Sequence, residues 1–428
     1  MILTVRPGNL KGSVEIPASK SHTIRALALA TLSGGDSEIL SPLDSDDGRS
    51  AREACRSLGA QMEVGVTWKV KGTGGCPVSP ETVIDVGNSG TTARIATGMA
   101  TLLDGTFAVL TGDAQTRCRP MGPLMEALGR LGGRVFSTRG NGFLPVVAGG
   151  RLKGGVTSIS GITSQFLTSL LISTPLARGD SQISVIDLHE RPYVDMTLWW
   201  LDRLGIRYER QGYEEFFVYG NQSYPSFRQA IPGDFSSATF FLCAAAMTDS
   251  DVTLKGLDLS DPQGDKQVID MLAAMGARIE SGPDGIRIRG GELKGAELDL
   301  NDTPDALPAL AVVGCKARGT TRLLNVPQAR IKETDRIAVM AREITRMGGR
   351  IQELPDGLVI EESNLQGTEV DGHGDHRVAM SLAVAGLIAD GTTAIRTAEA
   401  ISVTFPNFPE LLARLGAHVT LDPSKDNL

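Results

Sequence analysis

Two kinds of hydrophobic pattern alternate along the chain, and the pair of them recurs six times. A polar cluster opens a run that is apolar nearly all round, and a later run with apolar residues at helical spacing ends in Leu-Gly or Met-Gly. A helix that is apolar on every side is buried in a core, whereas helical spacing is typical of one buried face. Alternating runs follow each glycine and predict strands. Each repeat therefore predicts a strand, a buried helix, a strand, an amphipathic helix and one or two further strands.

The glycines at these junctions recur at intervals of about seventy residues, which is too long for a solenoid and fits one compact α/β unit. They are Gly59, Gly132, Gly205, Gly276, Gly348 and Gly416. Helices commonly end in a left-handed residue, and glycine adopts that conformation without steric cost. We therefore expect six copies of one unit, with the function located where the copies differ.

The polar clusters predict where the buried helices begin, because Ser, Thr, Asn and Asp accept hydrogen bonds from the amides of a first helical turn. The clusters start at residues 19, 88, 163, 233, 301 and 374. The N-terminal end of a helix carries partial positive charge and attracts anions. The sequence thus predicts six helix starts that are suited to anionic ligands.

Length and two matching proline segments predict the domain organisation. A chain of 428 residues exceeds one ordinary domain, and three repeats fit each of two domains. Pro17 and Pro232 open repeats one and four at equivalent places, which predicts chain crossings near 17–20 and 231–234. We expect one domain of residues 18–232 and a discontinuous one of residues 1–17 plus 233–428, because an N-terminal strand ahead of the first crossing has no other sheet to join.

Composition narrows the class of protein. Hydrophobic residues make up 41% and charged residues 21% of the chain, and the net charge of −8 argues against a nucleic-acid or anionic-membrane partner. The five scattered cysteines include no Cys-x-x-Cys pair, so we expect a reducing compartment without a disulfide frame. No signal peptide is recognisable and no apolar run reaches the length of a membrane span. We expect a cytoplasmic protein.

Basic residues recur at the predicted starts of buried helices. Ser21 and Arg25 are four residues apart and share a helix face, with Lys20 at the cap, while Arg119 and Arg377 stand at two further starts. A single arginine is more often a solvated surface residue, but the start of a buried helix offers no solvated face. Because the helix dipole and a guanidinium act on the same charge, we predict an anion site.

Two carboxylates accompany these cations. Asp305 lies just before Pro308, near which regular helix is expected to begin, and Glu333 stands between Lys332 and Arg336. Either one could simply cap or precede a helix. Together with the flanking cations they predict proton transfer on an anionic substrate.

Seven short motifs, in order along the chain, carry a resemblance to a known family. They are Pro-Ala-Ser-Lys-Ser at 17–21, Asn-Ser-Gly-Thr at 88–91, Arg-Pro at 119–120, Ser-Gln at 164–165, Pro-Asp at 304–305, Lys-Glu-Thr-Asp-Arg at 332–336 and Asp-His-Arg at 375–377. The chain resembles the 5-enolpyruvylshikimate-3-phosphate (EPSP) synthases, or 3-phosphoshikimate 1-carboxyvinyltransferases, over its whole length. The resemblance implies an α/β fold of two similar domains, each of three repeated α/β units around buried parallel helices (an inside-out α/β barrel). It places the active site in the interdomain cleft.

The resemblance also implies the reaction and its residues. The enolpyruvyl group of phosphoenolpyruvate passes to the 5-hydroxyl of shikimate 3-phosphate with release of phosphate, on the shikimate pathway to chorismate and aromatic amino acids. The reaction needs no metal or cofactor. The resemblance also implies a monomer. The implied ligands of shikimate 3-phosphate are Ser21, Arg25, Ser164, Arg191 and Lys332, with Gln165 between both substrates. Those of phosphoenolpyruvate are Lys20, Gly90, Arg119, Arg336 and Arg377. Asp305 would accept the hydroxyl proton, and Glu333 would protonate the methylene with help from Lys20, although the sequence leaves the division of these steps open.

Four positions depart from common versions of the family pattern: Thr163, Ile95, Gln328 and Val403, which stand where members carry Ser, Pro, Asn and Lys respectively. The change at Val403 removes a cation. Three other functions remain possible. A UDP-N-acetylglucosamine enolpyruvyl transferase carries a loop cysteine several residues before an Arg-Pro, whereas Cys118 directly precedes Arg119 here. A non-catalytic anion-binding scaffold would need no acid/base pair, and a nucleic-acid end-processing enzyme is disfavoured by the net charge.

Overall fold

The structure is a computed structural model that describes residues 1–422. It contains two compact units, each with its own hydrophobic core. The N-terminal unit comprises Ala18–Ile231 together with Asp261–Gln263. The C-terminal unit comprises Met1–Pro17, Pro232–Ser260 and the described residues from Gly264 onward.

The predicted order of elements is confirmed in every repeat. The chain opens with β1 (Ile2–Val5) and β2 (Lys11–Glu15). Repeats one to three then contain α1 (Lys20–Leu32), β3 (Ser33–Gly34), β4 (Asp36–Leu40), α2 (Asp46–Ser57), β5 (Gln61–Glu63), β6 (Thr67–Lys71), β7 (Ile84–Asp85), α3 (Gly90–Ala100), β8 (Phe107–Thr111), α4 (Gly122–Arg130), β9 (Arg134–Ser137), β10 (Val146–Gly149), β11 (Gly155–Ser160), α5 (Ser164–Ser173), β12 (Ser181–Ile186), α6 (Arg191–Arg203), β13 (Tyr208–Gln211), β14 (Glu215–Val218), β15 (Tyr224–Pro225) and β16 (Arg228–Ala230). Repeats four to six contain α7 (Phe235–Met247), β17 (Asp251–Lys255), α8 (Gln267–Met275), β18 (Arg278–Gly282), β19 (Gly285–Arg289), β20 (Glu297–Asp299), α9 (Leu307–Lys316), β21 (Thr320–Leu324), α10 (Arg336–Arg346), β22 (Arg350–Leu354), β23 (Gly357–Glu361), β24 (Glu369–Asp371), α11 (His376–Gly386), β25 (Thr393–Arg396), α12 (Phe408–Arg414) and β26 (Val419–Asp422).

Six four-stranded sheets share one topology. Their orders are β16-β4-β6-β5, β7-β8-β10-β9, β11-β12-β14-β13, β2-β17-β19-β18, β20-β21-β23-β22 and β24-β25-β1-β26. In each sheet the first two strands are parallel and the later pairs are antiparallel. Sheets one, four and six are completed by strands distant in sequence: β16, β2 and β1. The repetition therefore extends to strand order and direction.

The first helix of each repeat is buried around its whole circumference, as the apolar pattern predicts. Every residue of α3, α7 and α11 is buried, and so are most residues of α1, α5 and α9. The second helices bury one face; α8, for example, buries Val268, Leu272 and Met275. Within residues 1–422, no helix combines the length and hydropathy needed to cross a bilayer.

The predicted helix ends are confirmed at all six junctions and the predicted side-chain caps at five of six. The junction glycines have φ between 68° and 113°, the left-handed region that favours glycine. Ser19, Ser89, Thr163, Asp234 and Asp375 each accept a hydrogen bond from a first-turn amide. The prediction of a polar cap on α9 is wrong. A 3₁₀ turn, Pro304–Ala306, leads into this helix, which has Pro308 near its start and no side-chain cap.

Candidate functional site

The first residues of α1 present a lysine and a buried arginine in the N-terminal unit. Ser19 caps the helix by accepting from the amide of His22. Lys20 Nζ lies 3.2 Å from Asp47 Oδ2, a carboxylate that is almost fully buried on α2. Because this lysine is only partly exposed and held by a carboxylate, its ammonium is fixed at the start of α1.

Arg25, one turn further along α1, is a buried cation held by neutral groups. Its Nε donates to Thr197 Oγ1 at 2.9 Å, and its Nη2 donates to Thr168 Oγ1 at 3.2 Å and to the carbonyl of Tyr193 at 2.8 Å. Its Nη1 donates to the carbonyl of Ser21 at 3.0 Å. Burial lowers the pKa of the Arg25 guanidinium to about 10, with Tyr193 acting in the opposite direction. Neutral acceptors orient this guanidinium without cancelling its charge, so an anion bound beside it would be strongly favoured.

Two guanidinium groups converge on Gly90, the first residue of α3. A Cβ atom at Gly90 would lie 2.4 Å from Arg94 Nη1 and 2.6 Å from Arg119 Nη1. Arg94 Nη2 donates to the carbonyl of Pro120 at 3.0 Å, and Arg119 Nη2 donates to Asn88 Oδ1 at 3.4 Å. Both arginines are largely buried. Because glycine has no Cβ, both guanidiniums can lie against position 90.

The start of α5 brings Ser164 and Gln165 together with a carboxylate. Glu190 Oε2 accepts from Ser164 Oγ at 2.8 Å and from its amide at 3.3 Å. Glu190 is 1% exposed and left-handed, with φ of 59°, at the residue before α6. Among the described residues, the buried Gln165 Oε1 has no hydrogen-bond partner. Glu190 thus occupies both donors of Ser164, while Gln165 offers an acceptor to a ligand.

Arg191 is the first residue of α6 and is exposed, with its guanidinium over the Tyr213 ring at 5.4 Å from the centroid.

Among the positions that depart from the family pattern, Thr163 still caps α5, and Ile95 is buried in an apolar gap that it lines with Ile24 and Cys55. Val403 ends a 3₁₀ turn, Ala398–Val403. The hydroxyl that Ser would supply at position 163 is therefore retained, while Ile95 contributes packing.

Three carboxylates surround Arg336, the first residue of α10, in the C-terminal unit. Its Nη1 donates to Asp305 Oδ1 at 2.7 Å, its Nη2 to Glu333 Oε2 at 2.5 Å and its Nε to Asp375 Oδ2 at 2.8 Å. Burial lowers the pKa of this guanidinium, but Asp375, Glu333 and Asp305 outweigh burial and raise it. Arg336 therefore remains a cation although it is 1% exposed.

Asp305 in turn lies among three cations. Besides Arg336, its carboxylate faces Arg377 Nη2 at 3.0 Å and Lys332 Nζ at 4.0 Å. Burial raises the pKa of the Asp305 carboxyl, but Arg377, Lys332 and Arg336 outweigh burial and hold the pKa well below its ordinary value. The structure thus brings together five residues predicted from sequence: Asp305, Lys332, Glu333, Arg336 and Arg377.

Two carboxylates of these clusters received no role in the sequence analysis. Asp375 is fully buried, and although burial raises its pKa, Arg336 is the main group that lowers it below the ordinary value. Its place in the Asp-His-Arg motif, next to Arg377, was the available signal. Glu190 lies 26 residues from Ser164, and no local pattern indicates their contact.

The arrangement is suited to anionic ligands and proton transfer. Each unit places guanidinium or ammonium groups at the starts of buried helices, and the C-terminal unit adds carboxylates within hydrogen-bond reach. Across residues 1–422, no group of three or more His, Cys, Asp or Glu side chains is placed to hold a metal ion.

Comparison with known proteins agrees with the motifs and the fold. The family model for EPSP synthase (3-phosphoshikimate 1-carboxyvinyltransferase) matches residues 5–412. The 3-phosphoshikimate 1-carboxyvinyltransferase of Acetivibrio thermocellus is 55% identical over 98% of this chain and 99% of its own, and that of Ruminiclostridium cellulolyticum is 52% identical over 98% and 100%. The solved structure of EPSP synthase from Acinetobacter baumannii superposes with a TM-score of 0.82 at 28% identity, covering 98% of this chain and all of that one. A match over nearly the full length by model, sequence and structure leaves one conclusion: the chain belongs to the EPSP synthase (3-phosphoshikimate 1-carboxyvinyltransferase) family.

Proposed function

We propose that this chain transfers the enolpyruvyl group of phosphoenolpyruvate to the 5-hydroxyl of shikimate 3-phosphate, with release of phosphate. Family membership and the paired sets of cations support this assignment. The two substrates together carry two phosphate groups and two carboxylates, which require several fixed positive charges. The observation that carries the proposal is the cluster of Arg336, Arg377 and Lys332 around the Asp305 carboxylate.

We assign the ligands as the family resemblance implies, with support from the charge and position of several of the residues. Shikimate 3-phosphate is bound by Ser21, Arg25, Ser164, Gln165, Arg191 and Lys332. Phosphoenolpyruvate is bound by Lys20, Gly90, Arg119, Arg336 and Arg377, with Gln165 contacting both substrates. The buried charge of Arg25, which hydroxyl and carbonyl oxygens orient, supports its assignment to an anionic group. The missing Cβ at Gly90 lets the guanidinium of Arg119 lie at the start of α3, which supports its assignment to a phosphate or carboxylate.

The chemistry proceeds by addition and then elimination. The 5-hydroxyl oxygen forms a bond to C2 of phosphoenolpyruvate while C3, the methylene, gains a proton from Glu333. Glu333 takes up this proton from solvent once phosphoenolpyruvate engages Arg336, its partner in the structure. Asp305 accepts the hydroxyl proton. The tetrahedral intermediate then returns a proton from the new methyl group to Glu333 and breaks its C2–O bond to phosphate, which restores the vinyl group. The phosphate leaves as hydrogen phosphate with the proton that Asp305 took from the hydroxyl. Lys20 assists at the methylene. Groups held in place at the reacting atoms supply such proton transfers efficiently.

Substrate binding prepares Asp305 for this role. In the ligand-free protein, three cations hold its pKa low, which makes it a weak base. When the anionic groups of the substrates engage Arg336, Arg377 and Lys332, those charges are neutralised and the pKa of Asp305 rises towards a value suited to a base. The same cations therefore bind substrate and control the base.

Phosphate release from a mixture of the two substrates tests the proposal. The purified protein should release phosphate only when shikimate 3-phosphate and phosphoenolpyruvate are both present, and mass spectrometry should find one enolpyruvyl ether per phosphate. Unphosphorylated shikimate is the matched control. Phosphate release that does not depend on the acceptor, or no release with both substrates, would contradict the proposal.

We further propose that the protein acts as a monomer in the cytoplasm. All five cysteines are free thiols, three of them buried, as is typical of a reducing compartment. Light scattering after size exclusion tests the oligomeric state, and fractionation of cells tests the location.

A further inference from the structure

Helix α10 is joined at both ends to the segment between β24 and α11. At its start, Arg336 donates to both oxygens of Asp375, from Nε at 2.8 Å and from Nη2 at 3.3 Å. Two turns later, Glu343 contacts Asp371 and His373 of the same segment. This segment, residues 371–375 (the 371–375 loop), begins at the last residue of β24 and is followed by His376 and Arg377, the first residues of α11. The loop is therefore attached to α10 at two places: through Asp375 to Arg336, a cation of the site, and through Asp371 and His373 to Glu343.

Glu343 is the residue that makes the second attachment, and its carboxylate is fully buried. Oε2 accepts from the amide of Asp371 at 3.1 Å, and Oε1 lies 2.9 Å from His373 Nε2. Arg342 Nη2 lies 3.0 Å from the same ring nitrogen, so His373 is held between a carboxylate and a guanidinium. Arg342 Nε at 3.2 Å and Arg346 Nη1 at 3.5 Å supply the compensating charge. A fully buried carboxylate is costly unless it is paired and hydrogen-bonded, and Glu343 meets both conditions.

The conformation of the 371–375 loop needs such support. His373 has φ of 54°, a left-handed backbone that side-chain-bearing residues rarely adopt. Asp371 Oδ1 accepts from the amide of His373 at 2.7 Å and from Thr397 Oγ1 at 2.8 Å, and Thr397 Oγ1 accepts from the amide of Gly374 at 3.1 Å. These bonds shape the loop internally, while Glu343 fixes the loop to α10. Besides Glu343, Arg342 lies 3.0 Å from His373 Nε2, and Arg336 and Thr334 contact Asp375. Glu343 also bonds the backbone of the loop, through the amide of Asp371.

We propose that Glu343 is a positioning residue that sets the affinity for phosphoenolpyruvate by fixing the 371–375 loop to α10. The inference rests on the proposed function, because Arg336 and Arg377 are assigned there to phosphoenolpyruvate. Glu343 holds the loop, and the loop places Asp375 against Arg336. The loop also sets the start of α11 at His376 and thereby the position of Arg377. Of the groups assigned to shikimate 3-phosphate, all except Lys332 belong to the N-terminal unit, so binding of that substrate depends far less on Glu343 than binding of phosphoenolpyruvate does.

Glu343→Gln tests this chain of contacts with little change in volume. The glutamine keeps one acceptor for His373 but turns an amide donor towards the amide of Asp371. We expect kcat/KM for phosphoenolpyruvate to fall about 10- to 100-fold, the scale of a small displacement at a reacting centre. The Kd for shikimate 3-phosphate alone should stay within about twofold. His373→Ala removes one of the two attachments and should give a smaller loss of the same kind. Glu369→Gln, which changes an exposed glutamate on β24 paired with Arg396, is the matched control.

Two further readouts separate positioning from a general structural role. Amide exchange at Asp371 and Gly374 should accelerate in Glu343→Gln but not in Glu369→Gln, and this holds whether or not the protein has the proposed activity. Wild-type phosphate release tests the function itself. The inference is overturned if Glu343→Gln only lowers the melting temperature, with kcat/KM for phosphoenolpyruvate within twofold of wild type. Equal losses for both substrates would overturn it as well, and so would unchanged amide exchange in the loop.

Discussion

Replacing Asp305 with asparagine separates its role as a base from its role as a charge. Asparagine has nearly the same shape and retains one oxygen that accepts from Arg336 Nη1 or Arg377 Nη2. It cannot take up the hydroxyl proton, and it removes one negative charge from a cluster with Arg336 at 2.7 Å and Arg377 at 3.0 Å. The two losses act on different kinetic constants and in opposite directions.

The expected magnitudes follow from these two losses. Loss of a general base lowers turnover by about two to four orders of magnitude. The charge effect favours anion binding, because two unit charges about 5 Å apart interact by about 3 kcal/mol at an effective dielectric constant near 20. The Asp305 side chain is 15% exposed and partly screened, so we discount this to about 1 kcal/mol. We therefore expect kcat to fall by at least about 100-fold while KM for phosphoenolpyruvate falls about fivefold.

Steady-state phosphate release with each substrate varied in turn measures both constants, and calorimetry gives the Kd for shikimate 3-phosphate. Asp284→Asn is the control, because it makes the same chemical change in the exposed turn between β18 and β19. The reasoning is refuted if Asp305→Asn turns over near the wild-type rate. It is refuted equally if KM for phosphoenolpyruvate rises, since that would show that the carboxylate supports binding.

The pH profile adds a directional check on the same residue. The pKa of Asp305 in the free protein lies well below its ordinary value of 3.8, so this carboxyl is ionised throughout the pH range of the assay. Asp305 therefore produces no acid limb in kcat/KM near neutral pH. Engagement of the cations by substrate raises this pKa, so the acid limb of kcat should lie at higher pH than that of kcat/KM. A kcat limb at or below the kcat/KM limb would contradict activation of the base by substrate.

Three further changes test the other parts of the site and the scaffold. Arg25→Gln should weaken binding of shikimate 3-phosphate about 10- to 100-fold by calorimetry, because it removes a charged hydrogen-bond donor from a buried position, and an unchanged Kd would remove Arg25 from the site. Gly90→Ala would place Cβ 2.4 Å from Arg94 Nη1 and 2.6 Å from Arg119 Nη1, so both guanidiniums must shift. KM for phosphoenolpyruvate should then rise about tenfold with little change in the Kd for shikimate 3-phosphate, and the reverse pattern would reassign Gly90. Gly348→Ala should lower the free energy of unfolding by about 1–2 kcal/mol in denaturant titrations from backbone strain alone, because φ is +83° and the nearest atom to the new Cβ is 3.9 Å away. An unchanged midpoint would contradict the reading of the junction glycines.

The repeats could be predicted from the sequence because their signals are local. A junction glycine and the cap that opens a helix act within one or two turns, and five of the six caps are formed as expected. The exception is the cap of α9, the fifth along the chain, because Pro308 has no amide hydrogen to be capped and a 3₁₀ turn precedes the helix. Strand partners are a different matter. The pairing of β2 with β17 and of β16 with β4 joins segments about two hundred residues apart, and no local pattern encodes it.

The candidate site shows the same division. Lys332, Glu333 and Arg336 are close in sequence, so their convergence follows from one motif. The contacts of Glu190 with Ser164 and of Glu343 with His373 join different repeats or elements. Both depend on how helices and loops pack, which hydrophobic periodicity does not specify. The residues that position others were therefore the ones that sequence analysis missed.

Because no side chain caps α9, the carboxylate of Asp305 differs in role from the aspartates that open other helices of this repetitive protein. At Asp234 and Asp375 the carboxylate bonds a first-turn amide, so any substitution there disturbs a helix as well as its surroundings. Asp305 bonds side-chain cations, while the proline-led turn starts α9 without it. Substitutions at Asp305 therefore act first on the buried cations whose charge it balances, whereas those at Asp234 or Asp375 also remove a helix cap.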